Sequence, residues 1–182
     1  MSPNSGHAMS IATLTTVHVV ISLIGLVSGF VVLGAMLRSR IAAGFTTLFL
    51  AATIATSVTG FFFPVTRIGL GHVTGALSLA VLLPACVALY GLRLAGPWRR
   101  VYVSGVTTAL YLNVVVGVSQ SFAKIDVLRP LAPTHSAPAF LLAQLVVLAI
   151  FVVLGALAAK RFHPCPPVPP ADGRWLVDSS VR

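Results

Sequence analysis

Five long apolar runs dominate the chain, each closed by charge, proline or glycine. They extend from about Ile11 to Leu37, from Ile41 to Phe63, from about Gly71 to Leu92, from Val101 to Phe122 and from Ala139 to Ala159. An α-helix needs about 20 apolar residues to cross the hydrocarbon core of a bilayer. Each run meets that length. None alternates apolar and polar positions with a period of two, which argues against a membrane β-barrel. The predicted fold class is all-α, an integral membrane bundle of about five transmembrane helices. The links Arg38-Ser39-Arg40 and Leu94 to Arg100 are short, so the helices they join run antiparallel. The stretch 123–138 is the long loop of the bundle.

Composition identifies the solvent. Of the 182 residues 57% are hydrophobic and 8% are charged. A soluble domain is about a quarter charged, so a surface this apolar faces lipid, and the lipid bilayer is the first expected partner. The acidic residues are Asp126, Asp172 and Asp178 alone. The formal net charge of +9 does not indicate a nucleic-acid partner, because the basic residues stand singly or in pairs at the ends of apolar runs. There they meet phospholipid headgroups.

Those basic residues also predict orientation. With the N-terminus outside and the C-terminus cytoplasmic, Arg38, Arg40, Arg93, Arg99, Arg100, Lys160, Arg161, Arg174 and Arg182 lie on the cytoplasmic side. Arg67, Lys124 and Arg129 lie outside, as the positive-inside rule prefers. Residues 1–10 then form an extracytoplasmic segment, 11–162 the transmembrane domain, and 163–182 a proline-rich disordered cytoplasmic tail. The first span lacks a positive n-region and is longer than a signal h-region, so it is expected to be retained. The expected location is a bacterial-type cytoplasmic (inner) membrane. Cys86 reads as a small apolar packer. Cys165, in the tail, is not expected to pair with it, and His163-Pro164-Cys165 supplies too few ligands for a metal.

Helices in lipid associate through small residues and interhelical hydrogen bonds. Ser22, Gly25 and Gly29 form such a face on the first span, Ala52, Thr56 and Gly60 on the second, and Gly75, Ala76 and Ala80 on the third. Pro84 removes a backbone hydrogen bond inside the third span and predicts a kink. Asn113 lies mid-membrane and calls for a partner on another helix.

One polar constellation offers chemistry. His18, His72 and Gln120 each stand about 20 residues from the basic anchors Arg38, Arg93 and Arg100, which is about 30 Å along a helix. They share one level near the outer face, with Gln144 about one turn deeper and His135 in the outer loop. His7, Arg67, Lys124, Asp126 and Arg129 fall on that side too. Two imidazoles on facing helices are the ligand set of a b-type haem, so His18 and His72 are candidate axial ligands. Ser22, Gly25 and Gly75 would give a porphyrin room, and Arg67, Lys124 or Arg129 would meet its propionates. A quinone headgroup could use the same cluster. Histidines at the interface are also hydrated without any cofactor, and no second matched pair stands near the cytoplasmic face.

The stretch from Ala109-Leu110-Tyr111-Leu112-Asn113-Val114-Val115-Val116 through Gln120-Ser121-Phe122 to Leu131-Ala132-Pro133-Thr134-His135-Ser136-Ala137-Pro138 resembles a group of small bacterial multi-span membrane proteins of undefined activity. The likeness covers about the last two thirds of the spans. That group often carries Gln where this chain has His135. The histidine placement in the first and third spans is similar to that of predicted haem-binding membrane proteins. No HExxH helix, phosphate-binding glycine loop or GxSxG elbow is present, and no carboxylate lies within a span. The function expected is therefore a binding or accessory component, not an enzyme, acting with further copies of itself or with a membrane partner. Electron transfer through haem or quinone at His18 and His72 is the first alternative. A small oligomeric transporter or channel lined by Asn113, Gln120 and the hydroxyls of the second span is the next.

Overall fold

In a computed structural model the chain is described over residues 4–63, 70–132, 134 and 137–163, with side chains of the first helix placed from Ala12 onward. Among the described residues every regular element is helical. The helices are α1 (Asn4–Leu37), α2 (Ala43–Gly60), α3 (Leu70–Cys86), α4 (Trp98–Lys124) and α5 (Pro138–Arg161). All five contain a stretch long and apolar enough to cross a membrane. α4 packs against α1, α3 and α5, and α2 lies between α1 and α3. Only 11% of the apolar window of α5 is buried, so this helix sits at the edge of the bundle.

The predicted runs match the helices with shifts that have local causes. α3 passes through Pro84 and widens into a π-helical turn at Val87–Gly91, so that Leu92 N–H donates to the Val87 carbonyl at 2.9 Å. A proline that withholds one bond is accommodated by such re-pairing. The turn ends with Arg93 and Leu94 at φ of 47° and 60°, a left-handed pair that reverses the chain into α4. At the end of α1, Ser39 takes φ of 55°, where the Arg40 N–H donates to the Ala35 carbonyl at 2.9 Å. This is the helix-ending arrangement that usually has glycine at the left-handed position.

Small residues set the helix seams. A Cβ on Gly25 would meet Ala52 at 3.5 Å, in ordinary contact, and the Ser22 hydroxyl donates to that of Thr56 at 3.4 Å. The expected faces of α1 and α2 therefore meet. The third expected face divides: Gly75 lies against the Ser57 backbone, whereas Ala76 and Ala80 are exposed. The tightest approach to a neighbouring backbone joins α3 to α4. A Cβ on Gly105 would fall 2.8 Å from Ala85 Cβ and 2.9 Å from the Val81 carbonyl oxygen. The core lies toward the basic end of the bundle, where Met36, Phe49, Leu82, Tyr102, Val106 and Phe162 are almost fully buried.

Candidate functional site

Polar side chains inside an apolar bundle are costly unless paired, so their partners show where chemistry is free to occur. His18 on α1 shares a hydrogen bond of 2.9 Å between its Nδ1 and the Thr59 hydroxyl on α2. Its ring meets Phe63 edge-on at 5.2 Å. His72 on α3 meets a different ring, Phe61, edge-on at 5.6 Å. Thr59 and Phe63 lie on one side of the α2 terminus. The two imidazoles thus meet different aromatic rings just after α2, and His18 is also held by a hydroxyl. Gly60 gives His18 its room: a Cβ there would stand 3.7 Å from the imidazole Cε1.

The other expected site residues separate as well. Arg67 and His135 lie outside the described residues, as do the side chain of His7 and the tail with Cys165. Gln120 is exposed. Its neighbour Ser119 is buried instead, and it accepts from Gln144 Nε2 at 3.4 Å while donating to the Val115 carbonyl at 2.8 Å. Gln144 also donates to the Val115 carbonyl at 3.2 Å, tying α5 to α4. Asn113 donates to the Thr53 hydroxyl at 3.1 Å, tying α4 to α2. Arg129 forms an exposed ion pair with Asp126 at 3.4 Å.

A feature the sequence reading passed over lies between α4 and α5. Ser104, Thr107, Thr108 and Tyr111 line a groove of about 230 Å³ with Leu148, Phe151, Gly155 and Ala156. The four polar residues recur at positions i, i+3, i+4 and i+7 of one helix, a single face, and this spacing is the signal by which they were legible. Thr107 is 6% exposed, and its hydroxyl has no hydrogen-bond partner. Gly155 keeps α5 close, since a Cβ there would meet Thr107 Cγ2 at 3.2 Å. The groove lies on the side of the bundle bordered by the little-buried α5.

At the basic end a clasp closes the bundle. Arg99 Nη1 donates to the Phe162 carbonyl at 2.8 Å, and the His163 N–H donates to the Ser39 hydroxyl, also at 2.8 Å. The left-handed serine after α1 thus anchors the end of α5. Among the described residues no group of three or more His, Cys, Asp or Glu is placed to hold a metal ion. Compared with protein-family models, with curated proteins and with solved structures, the chain matches none.

Proposed function

We propose that this protein is an accessory component of a bacterial-type inner membrane, with its N-terminus outside and its C-terminus cytoplasmic. It acts by helix–helix association and carries out no reaction of its own. The observation that carries this reading is the hydroxyl-lined groove between α4 and α5. Several in-span polar groups elsewhere are engaged with one another, His18 with Thr59, Asn113 with Thr53, and the Gln144 amide nitrogen with Val115 and Ser119, although Gln144 Oε1 is buried without a partner. The hydroxyls of Ser104, Thr108 and Tyr111 instead line a recess at the bundle surface.

The occupant we assign to the groove is a second copy of this chain. A hydroxyl both donates and accepts, so two Ser104–Tyr111 faces related by a two-fold axis satisfy each other without any other chemistry. Two-fold pairs of like faces are the commonest form of assembly. Ala156, small and exposed at the groove, leaves room for such a face to approach. The excess of basic residues at one end supports the orientation, and the resemblance to small bacterial multi-span proteins supports the membrane.

Fluorescent protein reconstituted into vesicles at decreasing density tests the reading. Photobleaching in two steps that persists on dilution is expected, with Ala156→Leu, at an exposed position of the groove, reducing it to single steps. Single steps for the natural sequence at every density would overturn the self-association. Pairing unaffected by Ala156→Leu would overturn the assigned face.

A further inference from the structure

A second groove, on the other side of the bundle, has a different character. It lies between α2 and α3, has a volume of about 280 Å³, and is lined by Ile54, Leu79, Leu82, Leu83 and Cys86. Sites that enclose a whole small molecule run from about 300 to 1,000 Å³ and carry polar groups inside. This one is apolar throughout and slightly smaller, so it suits a segment of hydrocarbon chain. Pro84 lies beside it, and the π-helical turn that follows carries the end of α3 past it.

Chemistry changes along the groove toward the basic end. Tyr90 lies four residues beyond Cys86, within the π-helical turn that continues α3. Its hydroxyl meets the Thr47 hydroxyl of α2 at 3.2 Å, bridging the two helices just past the apolar recess. Thr47 lies seven residues before Ile54, on the same face of α2. Beyond that bridge stand two exposed guanidinium groups, Arg93 after α3 and Arg40 before α2. Among the described residues neither has a carboxylate partner: Asp126, the acidic side chain in that set, pairs with Arg129 at the other end of the bundle. Along each chain segment the order is the same: Leu83 and Cys86, then Tyr90, then Arg93 after α3, and Ile54, then Thr47, then Arg40 before α2.

We infer that this face holds one anionic phospholipid. An acyl chain lies along Leu79, Leu82 and Leu83, the glycerol ester region meets Tyr90 and Thr47, and the phosphodiester meets Arg93 and Arg40. Charge complementarity selects the ligand: the two arginines have no counterion among the described residues, and a zwitterionic headgroup carries an ammonium that they repel. Basic pockets at the membrane surface between helices recognise anionic headgroups on the same grounds.

Native mass spectrometry of the full chain, with equal amounts of phosphatidylglycerol and phosphatidylcholine of identical acyl chains, tests the inference. The expected result is one retained phosphatidylglycerol in preference to phosphatidylcholine. Removing each arginine, as Arg40→Ala and Arg93→Ala, is expected to weaken that preference about five-fold, the fold-change equivalent of the roughly 1 kcal/mol a basic residue contributes near an anionic surface. Arg93→Lys keeps the charge and most of the preference, which separates loss of binding from loss of fold. Leu83→Trp fills the recess and lowers retention of both lipids. Equal retention of the two lipids by the natural sequence would overturn the inference. Preference that survives the double arginine variant would overturn the headgroup site, and retention unaltered by Leu83→Trp would overturn the acyl recess.

Discussion

Asn113 of α4 donates its side-chain amide to the hydroxyl of Thr53 on α2 at 3.1 Å, and Thr53 is fully buried. Hydrogen bonds between helices in lipid contribute about 0.6 kcal/mol on average and up to about 1.7. Asn113→Val is therefore expected to lower stability by about 1 kcal/mol in a detergent unfolding assay. Thr53→Val should do the same, and the double variant should cost less than the two combined. Strict additivity would show that the two side chains do not share a bond.

The two histidines are expected to differ. His18→Leu loses the bond to Thr59 and should destabilise by about 0.5–1.5 kcal/mol. His72→Leu loses an edge contact with Phe61 and should fall within about 0.5 kcal/mol of the natural sequence. Protein expressed with ample haem should give a featureless visible spectrum, oxidised or dithionite-reduced. A Soret band with sharp reduced bands, abolished by His18→Ala or His72→Ala, would restore the electron-transfer reading.

Gly105 is the glycine least open to change. Its position leaves no room for a methyl group between α4 and the Val81 carbonyl of α3. Gly105→Ala is expected to cost about 1–3 kcal/mol as the helices separate. Gly117→Ala, at an open position of the same helix, should be neutral or stabilising by up to about 1 kcal/mol. Thermal unfolding of both variants in one detergent gives the comparison. An equal response would contradict the close approach.

The clasp at the basic end should be visible to a protease. Arg99→Ala removes the donor to the Phe162 carbonyl, and Ser39→Ala the acceptor for His163 N–H. A hydrogen bond from a charged group contributes about 1.5–3 kcal/mol, so Arg99→Ala should expose Lys160 and Arg161 to trypsin faster than Ser39→Ala does. Cleavage at the natural rate in both variants would show that the end of α5 is held by burial of Phe162 alone.

Much of this architecture was legible in the chain, because span length and end charges are linear features. The five helices, the need of Asn113 for a partner, and the small-residue faces of the first two spans could all be read in advance. Helix rotation could not. A span that is apolar all round has no stripe to mark its inward face, so nothing in the sequence told whether His18 and His72 faced each other or α2. The same gap separates Gln120 from Ser119: one residue turns a side chain by about 100°, and the buried partner of Gln144 is the serine. The clasp depends on Ser39 adopting a left-handed conformation, which no local pattern requires. The face of Ser104, Thr107, Thr108 and Tyr111 was the exception, since its spacing stands out against apolar neighbours.

Self-association through that face is the central claim, and disulfide trapping tests it most directly. In a background of Cys86→Ser and Cys165→Ser, Thr108→Cys places one thiol in the groove between α4 and α5, and Leu142→Cys places one on the exposed side of α5. Oxidation in native membranes should convert Thr108→Cys to a dimer of twice the chain mass and leave Leu142→Cys monomeric. Dimer from Leu142→Cys, with none from Thr108→Cys, would contradict the account.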